Sequence, residues 1–306
     1  MIEVAKPNTF IIGAPKCGTT ALATYLSEHP NAFVCRPKEP EFWADEFDQS
    51  KFLGLCSLVQ YEGLFDRVKS QHKVIVDAST GYLWSRTAIA KILEYAPAAR
   101  FIVMLRNPVE LAPALHMELA LLGEDDILDF EEAWRSQSAR ANGQRIPESC
   151  PASAQLLYGQ VAMLGSQLQR LRRIVPESQL HIIFLDDFRL NPRACYLGTL
   201  NFLQLEDDGR TDFPVTNAAR AVRAGWLNRL LLQPPRVLRP AVMSVRHTCW
   251  RLGLHGIRQK LVSRFLQKPQ ARRTLRPELI LELKNAFRDD VRLLSEVVGR
   301  DLSGWL

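Results

Sequence analysis

The chain has 306 residues, 47% hydrophobic and 24% charged, which describes an ordinary globular composition and excludes a disordered or fibrous chain. No apolar run reaches 18 residues, Met1 to Asn8 lacks the apolar centre of a signal peptide, and the six cysteines form no C-x-x-C pair. A membrane span, a disulfide scaffold and a zinc site are therefore not expected, and a reducing, cytoplasmic setting is.

In chain order the pattern alternates strand and helix. Thr9 to Gly13 is a short apolar, β-branched run that reads as a buried strand, and Thr19 to Glu28 carries Ala21, Leu22, Tyr25 and Leu26 at helical spacing before His29-Pro30 ends it. Strands follow at 73–77, 100–105 and 179–184. Helices are expected at 87–95, 108–122, 154–174, 192–203 and 277–298, with Pro108 suited to a first turn. Such alternation predicts one α/β domain with a central parallel sheet flanked by helices on both faces, and ligands beyond the carboxyl ends of the strands. The net charge of +6 is unevenly placed. From Phe213 to Pro277 there are 14 Lys or Arg and no acid, which leaves the remainder 25 basic against 33 acidic residues. The same stretch, broken by Pro234-Pro235 and Pro240, reads as a less regular basic insert or lid at about 214–277 of a domain spanning 1–306. It has three readings: solvated arginines, a wall for an anionic acceptor, or a membrane-surface helix over 242–266, where Trp250, Leu254, Ile257 and Phe265 mix with Arg and Lys. No nucleic-acid motif is visible.

The stretch Gly13-Ala14-Pro15-Lys16-Cys17-Gly18-Thr19-Thr20 has the glycine spacing of a phosphate loop, with Thr19 where the nucleotide-hydrolase loop carries its lysine. A loop of this kind between strand and helix offers consecutive backbone N–H groups to an anion, and Gly18 permits close approach. The positive charge has moved to Lys16, inside the loop, a position from which a lysine could neutralise a leaving oxygen without a metal. Cys17 reads as a small tolerated residue of that loop rather than as a reactive thiol.

The run Pro15-Lys16-Cys17-Gly18-Thr19-Thr20-Ala21-Leu22 resembles the 5′-phosphosulfate loop of sulfotransferases that use 3′-phosphoadenosine 5′-phosphosulfate (PAPS). Lys38-Glu39-Pro40-Glu41-Phe42-Trp43 is similar to the K-E-P element of the carbohydrate and heparan-sulfate branch, 77–83 to its E-K-[ST]-P-x-Y element, Arg106-Asn107-Pro108 to its 3′-phosphate element, and 299–305 to the close of bacterial members. The resemblance implies a P-loop-type fold and in-line transfer of a sulfuryl group from PAPS, leaving PAP, with no metal. The implied acceptor is a hydroxyl, or an amine, of a carbohydrate or glycolipid, with a small secondary metabolite as the alternative. It makes Lys16 the residue that stabilises leaving-group charge and Glu39 the general base, with His116 as rival base and His29 behind it. It places Lys16, Cys17, Gly18, Thr19, Thr20, Ala21, Arg106, Ala114 and Tyr158 around the nucleotide, with Arg272 and Arg273 in a late basic loop that closes over the 3′-phosphate. The chain departs from the pattern where Ala114 replaces a serine, Leu111 an arginine and Asp77-Ala78 Glu-Lys. Two other classes stay open. A P-loop kinase lacks the loop lysine and has only Asp77 as a magnesium-holding acid. A non-catalytic protein would bind an anionic polymer or membrane through its basic segment.

Overall fold

The computed structural model describes residues 5–214 and 275–306, together with the backbone of two short strands between them. Most of the basic segment, including 242–266, Arg272 and Arg273, lies outside the described residues.

The elements follow the order β1 (Thr9–Gly13), α1 (Thr19–Glu28), β2 (Ala32–Val34), α2 (Leu58–Glu62), β3 (Val74–Asp77), α3 (Ala88–Tyr95), β4 (Arg100–Leu105) and α4 (Pro108–Leu122). Then come α5 (Phe130–Arg135), α6 (Gln137–Ala141), α7 (Tyr158–Val161), α8 (Leu164–Arg172), β5 (Leu180–Phe184), α9 (Leu185–Leu190), α10 (Pro192–Leu203), β6 (Arg220–Val222), β7 (Gln267–Pro269) and α11 (Pro277–Val298). Strands β1 to β5 form one parallel sheet in the order β2-β3-β1-β4-β5, while β6 and β7 pair antiparallel to each other. All five residues of β1 are buried, as a central parallel strand covered on both faces requires, so the strand reads as an apolar run rather than an alternation.

Helix ends follow local chemistry where Asn and Pro supply it. Asn107 Oδ1 accepts the Val109 N–H at 2.9 Å ahead of Pro108, and Asn191 Oδ1 accepts the Ala194 N–H at 3.0 Å ahead of Pro192. The helix expected over 154–174 is instead broken. A 3-10 turn occupies Ser153–Leu156, α7 stops at Val161, and α8 starts at Leu164. The break has two tertiary causes. Gln167 Nε2 donates to the carbonyls of Gln160 and Val161 at 2.9 and 3.0 Å and closes the first helix. The Asp290 carboxylate, reaching over from α11, accepts the N–H groups of Gly165 and Ser166 at 2.7 and 2.8 Å and caps the second.

The two ends of the described chain on either side of the basic segment are both fastened. Tyr25 Oη donates to Pro214 O at 2.9 Å, and Arg276 pairs with Glu131. Beyond Arg276, α11 buries Leu283, Phe287, Val291 and Leu294, and Trp134 Nε1 donates to Glu282 at 2.9 Å.

Candidate active site

The loop after β1 is shaped by two glycines that no larger residue replaces. Gly13 sits at φ 133°, and a Cβ there would stand 2.8 Å from Thr80 O. Gly18, at φ 91°, caps α1, and a Cβ there would meet Leu185 Cδ1 at 3.1 Å. Ala14 N–H ties the loop to β4 by donating to Met104 O at 2.7 Å. The N–H groups of Ala21 and Leu22 both donate to Gly18 O, so the helix ladder begins there. The amides from Lys16 to Thr20 therefore stand ahead of that ladder, at the positive end of a ten-residue helix. Thr19 is buried, Thr20 and Ala21 are half-buried, and Thr20 O accepts from Thr24 Oγ1.

Lys16 holds a left-handed backbone at φ 61°. Its Nζ meets Glu118 Oε1 at 2.9 Å. Arg106 follows the end of β4, the strand beside β1. The guanidinium is 2% exposed, donates from Nη1 to Lys16 O at 3.1 Å, and pairs through Nη2 with Glu110 Oε2 at 2.6 Å. The two strand-end cations expected from the sequence are thus linked through the backbone carbonyl of Lys16. Both are met by carboxylates of α4, and Glu110, Ala114 and Glu118 recur at four-residue intervals along one face. Ala114 is buried between these two acids, and Leu111 turns into the core at 0% exposure.

Cys17 points inward, with Sγ on Pro15 O at 3.4 Å, and burial pushes its thiol up to about 12. A thiol-specific disulfide reagent should therefore label exposed Cys56 in the native protein and leave Cys17 untouched until unfolding. Peptide mass mapping decides, and early labelling of Cys17 would show that the loop opens.

Glu39 and Glu41 lie on the stretch that crosses the sheet top after β2. The Glu39 N–H donates to Ala78 O at 3.1 Å, and its carboxylate pairs with Lys38 Nζ. Glu41, 2% exposed, takes the Gly81 N–H on Oε1 at 2.9 Å, while its Oε2 is buried with no hydrogen-bond partner. Burial, then the neighbouring Glu39 charge, holds the Glu41 carboxyl well above the usual carboxylate range. Glu39, Glu41, Glu118 and Glu124 line one cleft with the rings of Phe47, Phe52 and Trp84, and Pro15 of the phosphate loop forms part of its wall.

The remaining expected residues fall elsewhere. Tyr158 is fully buried and gives its hydroxyl to Asp125, which also takes both Arg140 Nη groups at 2.6 and 2.9 Å and the Ile127 N–H at 2.9 Å. Burial pushes the Asp125 carboxyl up, but the hydrogen bonds from Arg140 and Tyr158 outweigh it and leave it below its ordinary value. His116 is buried against Tyr158 with Nε2 on Ile127 O at 2.8 Å, and burial lowers its pKa. His29 is likewise buried, with Nε2 on Glu206 O at 3.0 Å. Neither imidazole joins the cleft lining. Asp77 lies beneath the sheet top, where Ser79, Tyr61 and Tyr82 donate to it and burial raises it to about 6. Among the described residues no group of three His, Cys, Asp or Glu is placed to hold a metal ion, and no helix is long and apolar enough to cross a membrane.

Glu118 and Glu41 escape sequence reasoning. The face shared by Glu110, Ala114 and Glu118 gives a signal for the first, and nothing local signals the second.

Residues 6–212 match the family described as sulfotransferase domain. Carbohydrate sulfotransferase 15 of Homo sapiens is 30% identical over 269 residues, covering 70% of this chain and 47% of that protein. Heparan sulfate glucosamine 3-O-sulfotransferase 3A1 of Mus musculus is 31% identical over 134 residues, covering 44% of this chain and 32% of that protein. The chain thus spans about half the length of the human relative and about a third of the mouse one. A crystal structure of a sulfotransferase from Alicyclobacillus acidocaldarius superposes with a TM-score of 0.70 over 99% of both chains at 24% identity, a likeness of fold.

Proposed function

Since this chain belongs to the sulfotransferase domain family, we propose that it is a sulfuryl-transferring enzyme whose donor is PAPS and whose acceptor is a hydroxyl, or an amine, of a carbohydrate or glycolipid. The observation that carries the donor is the hydrogen bond from Arg106 Nη1 to Lys16 O, which fixes a strand-end guanidinium to a glycine-shaped loop at a helix N-terminus. Two anion sites on one rigid frame, a loop of amides and a buried arginine beside it, fit a donor with a 5′-phosphosulfate and a separate 3′-phosphate. When bound, PAPS supplies an activated sulfuryl group on a phosphate leaving group.

The chain's own groups then have defined tasks. Lys16 Nζ exchanges Glu118 for the anionic oxygens and stabilises charge that grows on the leaving side. The Glu39 carboxylate takes the proton from the attacking hydroxyl, which lies in the cleft the carboxylate lines. Sulfuryl transfer resembles loose phosphoryl transfer, so positioning and charge stabilisation carry most of the rate. Glu39→Gln, which keeps the shape and removes the basic oxygen, should lower kcat by about 10²–10⁴-fold with donor binding unchanged. Retention of more than a tenth of kcat would move the base elsewhere.

The founding test is titration calorimetry with PAP against ATP plus magnesium on the native chain and on Arg106→Ala. Tight PAP binding that Arg106→Ala abolishes, with ATP much weaker, bears the donor out. No PAP binding, or a preference for ATP with magnesium, would sink this reading. Phe47, Phe52 and Trp84 in the cleft favour one second reading, a small secondary metabolite as acceptor. A cytoplasmic setting belongs to the same proposal, and the five described cysteines are all free.

A further inference from the structure

The phosphate loop offers an anion a helix terminus and one lysine, and an acid of the same chain stands on that lysine. The carboxylate that meets Lys16 Nζ at 2.9 Å belongs to Glu118 of α4, 102 residues away in the chain. The contact is therefore made by the fold and not by neighbouring sequence. An ammonium has three hydrogen-bond donors, and the bond to Glu118 Oε1 uses one of them.

Two observations set this pair apart from a structural strut. The first is that the loop does not need it. Lys16 is placed through its backbone, at φ 61° with its carbonyl held by Arg106 Nη1 at 3.1 Å, and Glu118 touches only the end of the side chain. The second is exposure. The side chains of Lys16 and Glu118 are 23% and 38% exposed, and one ion pair so open to water holds weakly. The Asp125–Arg140 pair, 0% exposed on both sides and doubly hydrogen-bonded, shows what this chain builds when an ion pair is structural. A phosphate group with a charge near −2 at a helix N-terminus should displace a single carboxylate from the same ammonium. Glu118 also lines the cleft that holds Glu39, so a carboxylate displaced from Lys16 has that cleft beside it.

We propose that Glu118 is a built-in competitor of the donor for Lys16, which holds the ammonium until a phosphate or phosphosulfate group displaces it and which hastens the departure of PAP by taking the ammonium back. Glu118 tunes donor affinity in this scheme and is not a catalytic residue. The proposal rests on the reading of the loop as a PAPS site.

A strut and a competitor differ in sign. Removing a strut weakens the donor, whereas removing a competitor tightens it. The test is titration calorimetry with PAP on the native chain, Glu118→Gln, Lys16→Met and the double variant, at about 0.15 M salt so that unpaired charges act weakly at a distance. Glu118→Gln should tighten PAP about two- to fivefold, the range that loss of one half-exposed ion pair allows. A chase of radiolabelled PAP with unlabelled PAP should show release slowed by a similar factor. In Lys16→Met the same substitution should change affinity by less than about 1.5-fold, because the competition runs through the ammonium. Unchanged or weaker PAP binding in Glu118→Gln overturns the proposal, and so does an equal gain with and without Lys16, which would be plain charge repulsion. A gain in affinity with release unchanged overturns the role in product departure. If Lys16→Met binds no PAP, the sign of the Glu118→Gln effect decides. Tight PAP binding by the native chain with no gain in Glu118→Gln leaves the donor reading standing, whereas no PAP binding by the native chain removes that reading and this proposal with it.

Discussion

Lys16→Ala should lower kcat by about 10²–10³-fold, the loss that follows removal of one preorganised charge-stabilising group, while the melting temperature stays within a few degrees of the native value. The two halves of that expectation have separate grounds. The lysine side chain is 23% exposed and its ion pair is with Glu118, itself 38% exposed, so little folding energy depends on it. Its place is nevertheless fixed at both ends. Arg106 grips the Lys16 carbonyl, and Glu118 holds the ammonium. Lys16→Arg should recover little, because a longer planar guanidinium does not repeat the point charge of an ammonium at a left-handed loop position. Arg106→Ala is expected to behave differently, costing donor affinity first and also loosening the loop, since the same guanidinium is buried and hydrogen-bonded to loop backbone. Steady-state kinetics with PAPS and thermal melts on the three variants separate these effects. A Lys16→Ala enzyme within tenfold of the native kcat would remove the lysine from the transition state.

The second large effect is on stability and lies away from the chemistry. Arg140→Ala should destabilise the fold by about 3–5 kcal/mol, because it strands a buried carboxylate. Both side chains of the Asp125–Arg140 pair are 0% exposed, and Tyr158 and the Ile127 N–H complete the Asp125 shell. The sign of the pH dependence follows from the lowered Asp125. Its contribution is present above its ordinary carboxylate value of 3.8 and is lost as pH falls through the still lower folded value. In Arg140→Ala the stranded carboxyl takes up a proton more readily, so the penalty should shrink as pH is lowered towards 4. Urea unfolding of both proteins at pH 7 and near pH 4.5 measures this, and a penalty below about 1 kcal/mol, or one that grows on acidification, would contradict the network's role.

How much of this was legible in the sequence depends on whether the cause was local. The starts of α4, α10 and α11 follow from Asn or Pro placed where caps and first turns need them, β4 follows from its apolar run, and all four read directly from the chain. Strand β2 was not read, because three residues carry no periodicity and only pairing with β3 makes Ala32–Val34 a strand. The split between α7 and α8 was hidden for the same reason, since its cap comes from Asp290, 125 residues beyond Gly165. In the site, Gly18, Lys16 and Arg106 were visible as loop spacing and strand ends. The partners that give them their geometry were not, because Lys16 meets Glu118 across 102 residues and the open oxygen of Glu41 depends on Gly81. Tyr158 and His116 show the converse. Each is a chemically capable side chain, but the Asp125 cluster occupies it.

The fastening of α11 has a further meaning for the integrity of the particle. Leu283, Phe287, Val291 and Leu294 are buried, for a gross gain of roughly 6–12 kcal/mol at typical transfer values, and Asp290 supplies the cap of α8. None of these contacts runs through the peptide bonds between residues 214 and 275. A single chain break in that interval would leave two polypeptides that still form one body, because breaking the tether removes only the high local concentration it provides. The last helix belongs to the domain as a docked subunit would, and covalent continuity serves it as a leash.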